Sequence, residues 1–262
     1  MKKSIYGVLA ILCVGLLIFG GLSFMGDEIK VGPVKIKTAS FAQTLFAPGD
    51  SAEVKDAKLA NVDSVSAKPK GPAPMDTTSK NILLVGDSML EGLGPRLAAY
   101  ADYNGHTLTR VIWYSSTTEI WGQTTRLKER IDEFKPDYIF ICLGANELFV
   151  SDIKKKRQKY LDEILSQIGD IPFVWIGPPN WKPDTGINDM LQETLPEGSF
   201  YLSNGEHFDR AKDGAHPTHA SAAAWCDRVC KWVMEKSYNP IKLKVPTEAK
   251  GTCKTIIYQP YV

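Results

Sequence analysis

The chain has almost no excess of charge: Lys plus Arg total 31 and Asp plus Glu total 30. So close a balance offers no electrostatic handle for nucleic acid or for a strongly acidic partner, and neither is expected. Histidine is scarce, four in 262 residues, and the five cysteines share no metal-ligand spacing with them. No metal site is expected on that ground. There is no internal repeat, so a solenoid or propeller is excluded. What remains is a globular composition, 44% hydrophobic, long enough for one domain of moderate size with extra segments at either end.

One long apolar run is present, at residues 5–25, preceded by Lys2 and Lys3 and followed by the first acid, Asp27. It matches the roughly 20 residues that cross a bilayer as a helix. The flanking lysines place the N-terminus inside and the body of the chain outside. The rival reading is a cleaved signal peptide, with a small-x-small site at Gly21-Leu22-Ser23. The length of the run favours an uncleaved anchor. Both readings export the rest of the chain, to the periplasm or cell surface if anchored and as a secreted protein if cleaved. Export makes a bridge from Cys253 to Cys226 or Cys230 plausible, against the alternative of small buried thiols. Cys142, in "YIFICLG", reads as core.

Residues 26–80 are rich in Ala, Lys, Ser, Asp and Pro and show little sustained periodicity, so they read as an extracytoplasmic spacer. From residue 81 the pattern changes. Apolar runs at 82–85, 108–113, 138–143, 173–176 and 200–202 read as strands. Helical spacing fills the intervals: "GPRLAAYADYNG", "TTRLKERIDEFKP", "SDIKKKRQKYLDEILSQIG" with Ser151 as its cap, and "HASAAAWCDRVCKWVMEK". Alternation of this kind predicts an α/β domain over 81–236, with a largely parallel sheet covered by helices on both faces. Residues 237–262 form a tail that either adds a strand near 255–258 or lies over the cleft.

In open parallel sheets ligands bind beyond the carboxyl ends of the strands. The residues found there are Gly86-Asp87-Ser88, Ser115-Ser116-Thr117, Gly144-Ala145-Asn146-Glu147 and Asn180-Trp181, with "DGAHP" (213–217) before the last helix. Acyl transfer by serine has four requirements. A hydroxyl attacks, an imidazole takes its proton, a carboxylate orients the imidazole, and preorganised donors hold the oxyanion. Ser88, His216, Asp213 and Asn146 can supply those in order. Each has an ordinary reading as well: Ser88 as a helix cap, Asn146 and Asp213 as turn residues, His216 as part of a helix entry. Only their joint placement points to chemistry.

"VGDSM" (85–89), "LGANE" (143–147) and "DGAHP" (213–217) also resemble the blocks of the SGNH, or GDSL-type, hydrolases. The resemblance spans roughly residues 81–236. It implies a three-layer α/β/α sandwich with a flavodoxin-like five-stranded parallel sheet. It further implies Ser88 as nucleophile, Asp213 and His216 completing a triad, and oxyanion donors from the Ser88 backbone and the Asn146 side chain. No metal or organic cofactor is implied. Three departures stand out, of which Met89 in place of a common Leu matters little. Glu147 occupies a place usually held by Asp, and the second block lacks its usual Gly. That leaves its backbone donor open between Ser116 and Thr117, with Gly122 a more distant candidate.

The activity so implied is a serine esterase removing O-acetyl or other short acyl groups from a carbohydrate or envelope polysaccharide. The alternatives are an O-acetyltransferase and a catalytically silent module that binds glycan or a partner. A lipase is disfavoured, since no long apolar loop suggests an acyl-chain tunnel. Trp113, Trp121, Trp175 and Trp181 present aromatic faces suited to sugar rings; Trp175 reads as core, and Trp181, beside Asn180, as the best substrate contact. Asp87 reads as a turn-holding residue and His219 as an ordinary helix residue. The basic run 154–157 reads as the solvated face of its helix.

Overall fold

The computed structural model describes residues 28–31, 34–37 and 73–260. The expected membrane anchor or signal segment at 1–25, and most of the expected spacer, lie outside the described residues. Within the first of two units, β1 (Glu28–Val31) and β2 (Val34–Lys37) pair antiparallel, with Glu28 opposite Lys37. The second unit, Ser66–Val262, is built on one sheet.

Its elements run β3 (Asn81–Gly86), α1 (Leu90–Asn104), β4 (Thr107–Trp113), α2 (Thr118–Gly122), α3 (Arg126–Phe134), β5 (Tyr138–Cys142), α4 (Ile153–Ile168), β6 (Phe173–Ile176), α5 (Ile187–Thr194), β7 (Phe200–Tyr201), α6 (His219–Lys236) and β8 (Lys254–Tyr258). The sheet order is β7-β6-β5-β3-β4-β8, and every neighbouring pair is parallel. Apart from β8 this is the flavodoxin-like order. Six strands replace the expected five because the tail supplies one. Lys254 to Tyr258 pair with Thr109 to Trp113, and the Tyr258 ring meets Trp113 edge-on, the centroids 5.4 Å apart. The tail is held there by α1: Thr252 N–H donates to Asp102 (2.8 Å) and Arg96 donates to the Glu248 carbonyl (2.7 Å).

The strand sequences explain the three layers. Successive side chains point to opposite faces, so Ile82 and Leu84 enter one core while Leu83 and Val85 enter the other. Phe140 and Cys142 divide from Ile139 and Ile141 in the same way. All these residues are buried, as expected of a sheet covered on both sides. Helices α1 and α6 pack together over one face; α2, α3, α4 and α5 contribute to the core of the other.

The domain also extends before residue 81. Asp76 bridges to Ile241, and Ala73 N–H donates to the Tyr238 carbonyl (3.0 Å), so residues 73–80 run beside the start of the tail rather than hanging as a spacer. At α4 the expected cap is not Ser151. The N-cap is Asp152, in left-handed backbone conformation (φ 52°) with no side-chain cap bond. The Ser151 hydroxyl instead accepts from the Lys156 ammonium (3.1 Å). No disulfide joins Cys226, Cys230 and Cys253. The first two are fully buried on α6 with sulfurs 3.9 Å apart, and Cys253 contacts the Thr255 hydroxyl at 3.7 Å.

Among the described residues, no helix is long and apolar enough to cross a membrane.

Candidate active site

Chain direction across the sheet reverses at β3, which has β4 on one side and β5 on the other. The crevice beyond the carboxyl ends of β3 and β5 is therefore the expected binding position. Strand β3 ends there with Gly86 against Cys142; a Cβ at Gly86 would lie 2.2 Å from the Cys142 carbonyl oxygen, so only glycine allows this approach. The Asp87 N–H then donates to that same carbonyl (3.2 Å) and its Oδ1 accepts the Met89 N–H (2.9 Å), which closes the turn. Asp87 thus does the local work of the cap expected of Ser88. Ser88 makes no side-chain cap bond to α1, whose N-cap is Met89. Its hydroxyl is left for another partner.

That partner comes from 128 residues away. The segment 209–218 doubles back on itself: Arg210 bridges antiparallel to Pro217, and Ala211 N–H donates to the His216 carbonyl (2.8 Å). Gly214, at φ 71°, makes the bend. Asp213 Oδ1 accepts the backbone amides of Ala215 (2.9 Å) and His216 (3.0 Å), while Oδ2 lies 2.7 Å from His216 Nδ1. His216 Nε2 lies 2.8 Å from Ser88 Oγ. The bond to His216 and the two amides hold the Asp213 carboxyl down to about 2. An ionised carboxylate only accepts, so Nδ1 carries the proton and Nε2 offers its lone pair to the Ser88 hydroxyl. The histidine and aspartate side chains remain 35% and 50% exposed, so the pair is open to solvent.

Arg210 steadies this loop and was not singled out by any motif. Its guanidinium donates to the carbonyls of Ala215 (2.8 Å), Pro179 (3.0 Å) and Asn180 (2.6 Å). It thereby ties the His216 loop to the loop after β6. No spacing rule would have found it, because its partners are backbone carbonyls, two of them 30 and 31 residues away.

The oxyanion candidates lie at the ends of β4 and β5. Gly144, at φ 122°, turns the chain after β5, and Asn146 Nδ2 donates one hydrogen to the Ser116 carbonyl (2.9 Å). An amide nitrogen has two hydrogens, so one is left. Of the open candidates in the second block, Ser116 has its N–H committed to the Trp113 carbonyl (3.1 Å). Gly122 is occupied otherwise: a Cβ there would come within 2.5 Å of the Tyr160 carbonyl oxygen, so it serves the close packing of α2 on α4. Thr117 caps α2, its hydroxyl accepting from Ile120 N–H (3.2 Å). Among the described residues the backbone N–H groups of Thr117 and Ser88 donate to no protein acceptor. Both amides are free for a ligand oxygen.

Glu147 and Asp87 are both fully buried. Burial pushes the Asp87 carboxyl up to about 7; the Met89 amide and His216 oppose the shift, and Glu147 adds to it. Burial also raises Glu147, against the opposing bonds from Thr118 and Arg157. Arg157 departs from the solvated face expected of the run 154–157. Lys154, Lys155 and Lys156 are exposed, whereas the Arg157 side chain is only 14% exposed.

The tryptophans separate clearly. Trp113 and Trp121 are buried and meet edge-to-face at 5.2 Å, and Trp175 is fully buried, so none of the three can pave a cleft. Trp181 is half-buried, with its Nε1–H donated to the Ala145 carbonyl (2.9 Å), which sets its ring beside the Asn146 loop. The Asn180 side chain is engaged with Asn204 (3.1 Å) and Asn188 (3.2 Å) and serves the loop. His219 is the exposed first residue of α6.

No family model and no curated protein matches the chain in sequence. Among solved structures, the chain is similar to the psychrotrophic esterase EstA of a Pseudoalteromonas species, at 17% identity and a TM-score of 0.45, over 58% of this chain and 96% of that one. It is similar to TesA at 19% identity and a TM-score of 0.46, over 60% and 98%. A lipolytic protein of the G-D-S-L family from Desulfitobacterium hafniense is matched at 13% identity and a TM-score of 0.40, over 58% and 98%.

Proposed function

We propose that the protein is a serine esterase that removes O-acetyl or other short acyl groups from a carbohydrate outside the cytoplasm. One observation carries the reading: hydroxyl, imidazole and carboxylate stand in line, with Ser88 Oγ 2.8 Å from His216 Nε2 and His216 Nδ1 2.7 Å from Asp213. Each link is within the reach that proton transfer requires.

In the proposed reaction Ser88 Oγ attacks the ester carbonyl carbon as its proton passes to His216 Nε2. The carbonyl oxygen becomes an oxyanion, held by the N–H groups of Ser88 and Thr117 and by Asn146 Nδ2. Asp213 stabilises the imidazolium. The imidazolium returns its proton to the leaving alcohol oxygen as the ester C–O bond breaks, leaving an acyl group on Ser88. Water then attacks that acyl carbon, giving its proton to His216, and the serine departs with the proton as the free acid forms.

Solvent exposure of the His216–Asp213 pair favours water over a sugar hydroxyl as acceptor, and hence hydrolysis over acyl transfer. The half-buried Trp181 ring at the Asn146 loop supports a sugar as the acyl carrier, since an aromatic face suits a pyranose ring. The apolar run at 5–25 supports a membrane-anchored, extracytoplasmic setting.

The test is acetate release from acetylated glycans and from a small aryl acetate by the full-length chain in detergent, together with labelling by a fluorophosphonate. Label on Ser88 with acetate release supports the reading. Label without release, and with ester accumulating on an added sugar, identifies a transferase. Neither label nor release identifies a silent binding module.

A further inference from the structure

We propose that Arg157 is a positioning residue for the oxyanion site, acting through Glu147; this rests on the esterase reading above. The two donors in question sit at the ends of β4 and β5, which are not neighbours, because β3 lies between them. The ladder sets the strand ends through β3 but not the loops beyond them that carry the donors. Two side chains span those loops: Asn146, bonded to the Ser116 carbonyl, and Glu147. Glu147, the residue after Asn146, crosses to the residue after Thr117: Oε2 accepts the Thr118 N–H (2.9 Å) and Oε1 accepts the Thr118 hydroxyl (2.8 Å). Both blocks are thus locked to a single carboxylate with no solvent exposure.

A carboxylate so buried needs a cation or takes up a proton. Arg157 on α4 supplies the cation, with its Nε 2.7 Å from Glu147 Oε1. Its Nη1 reaches Glu119 on α2 at 2.7 Å. The guanidinium therefore joins the helix that follows Thr117 to the loop that carries Asn146. Its fork geometry suits two carboxylates on one planar group, which an ammonium reproduces only in part. A substrate oxygen would meet the Thr117 and Asn146 donors; Arg157 and Glu147 would set the spacing between them. Aspartate at 147 is one methylene shorter, so it would not span to Thr118 from the same backbone position.

The test compares wild type, Arg157→Ala, Arg157→Lys and Glu147→Gln as full-length chains in detergent, with Lys154→Ala as a control. Lys154 is exposed on the same helix and pairs with Glu193. Turnover of an aryl acetate is normalised to the serines titrated by fluorophosphonate, so that loss of folded protein does not register as loss of rate. Losing a whole oxyanion donor lowers kcat by about 10²–10³. Loosening two donors should lower it by roughly 10-fold to 100-fold in Arg157→Ala, with KM changed less than about threefold. Arg157→Lys and Glu147→Gln should fall between that variant and wild type, and Lys154→Ala should match wild type.

Amide hydrogen exchange at Thr118 is the second readout. It should accelerate in Arg157→Ala while the amides of β3 and β5 stay protected. Unchanged Thr118 exchange overturns the proposal, as does an Arg157→Ala kcat within twofold of wild type or an Arg157→Lys no better than Arg157→Ala. If the wild type proves inactive and unlabelled, the esterase reading falls, and Thr118 exchange still decides whether Arg157 holds the two blocks together.

Discussion

Replacing Asp87 by Asn should flatten the dependence of stability on pH between about 4 and 7. Asp87 is fully buried; its Oδ1 accepts the Met89 amide, while Oδ2 has no partner of normal hydrogen-bond geometry. Burial carries its pKa from the usual 3.8 to about 7. Across that window the folded protein keeps a proton that the unfolded chain has released. Stability therefore falls as pH rises from 3.8, and the full loss is reached above about pH 7. This is the opposite sign to Asp213. The lowered pKa of that residue adds stability above the ordinary carboxylate range and is lost as pH falls toward about 2. A change of about three pKa units corresponds to at most about 4 kcal/mol for a group wholly removed from water.

Asparagine does not titrate and keeps an oxygen for the Met89 amide. The assay is urea or thermal unfolding of both proteins from pH 4 to pH 8. The stability of Asp87→Asn relative to wild type should rise by up to about 4 kcal/mol over that range, on the order of 10 °C in Tm for a domain of this size. The absolute difference at any one pH is not diagnostic, because the new amide also loses partners. Unfolding curves that stay parallel across the range would show that Asp87 is ionised in the folded protein and would refute the argument.

Ser88→Ala should cut turnover by about 10⁴–10⁶ with the unfolding transition intact, measured as acetate release from an aryl acetate; near-normal activity would remove Ser88 from the reaction. Asn146→Ala should lower kcat by about 10²–10³ if its free amide hydrogen serves the oxyanion, and a change below about threefold would count against that role. Gly122→Ala should destabilise the protein by about 1–3 kcal/mol in denaturant unfolding, because the new Cβ meets the Tyr160 backbone. His216→Ala should lower turnover by a factor similar to Ser88→Ala in the same assay, and near-normal activity would contradict His216 as the base.

The alternation of apolar runs and helical spacings was enough to determine a parallel α/β sheet, since residues such as Ile82 to Val85 can be apolar throughout only if both faces are covered. The strand ends pointed to Ser88 and Asn146, because backbone direction alone decides which rim they occupy, and the entry to the last helix pointed to Asp213 and His216. A signal for Arg157 was also present: it lies four residues after Ile153 and four before Leu161, both buried, and so shares their face of α4. Its three lysine neighbours obscured it. The sixth strand was legible only as one of two options for the tail, since β8 is an edge whose five residues are all exposed or half-buried and so show no buried face. Tertiary structure alone decided that the imidazole meets the hydroxyl and that one carboxylate joins two loops. Those outcomes depend on hydrogen bonds made across 29 to 128 residues of chain, and a local pattern of side chains holds no record of such distances.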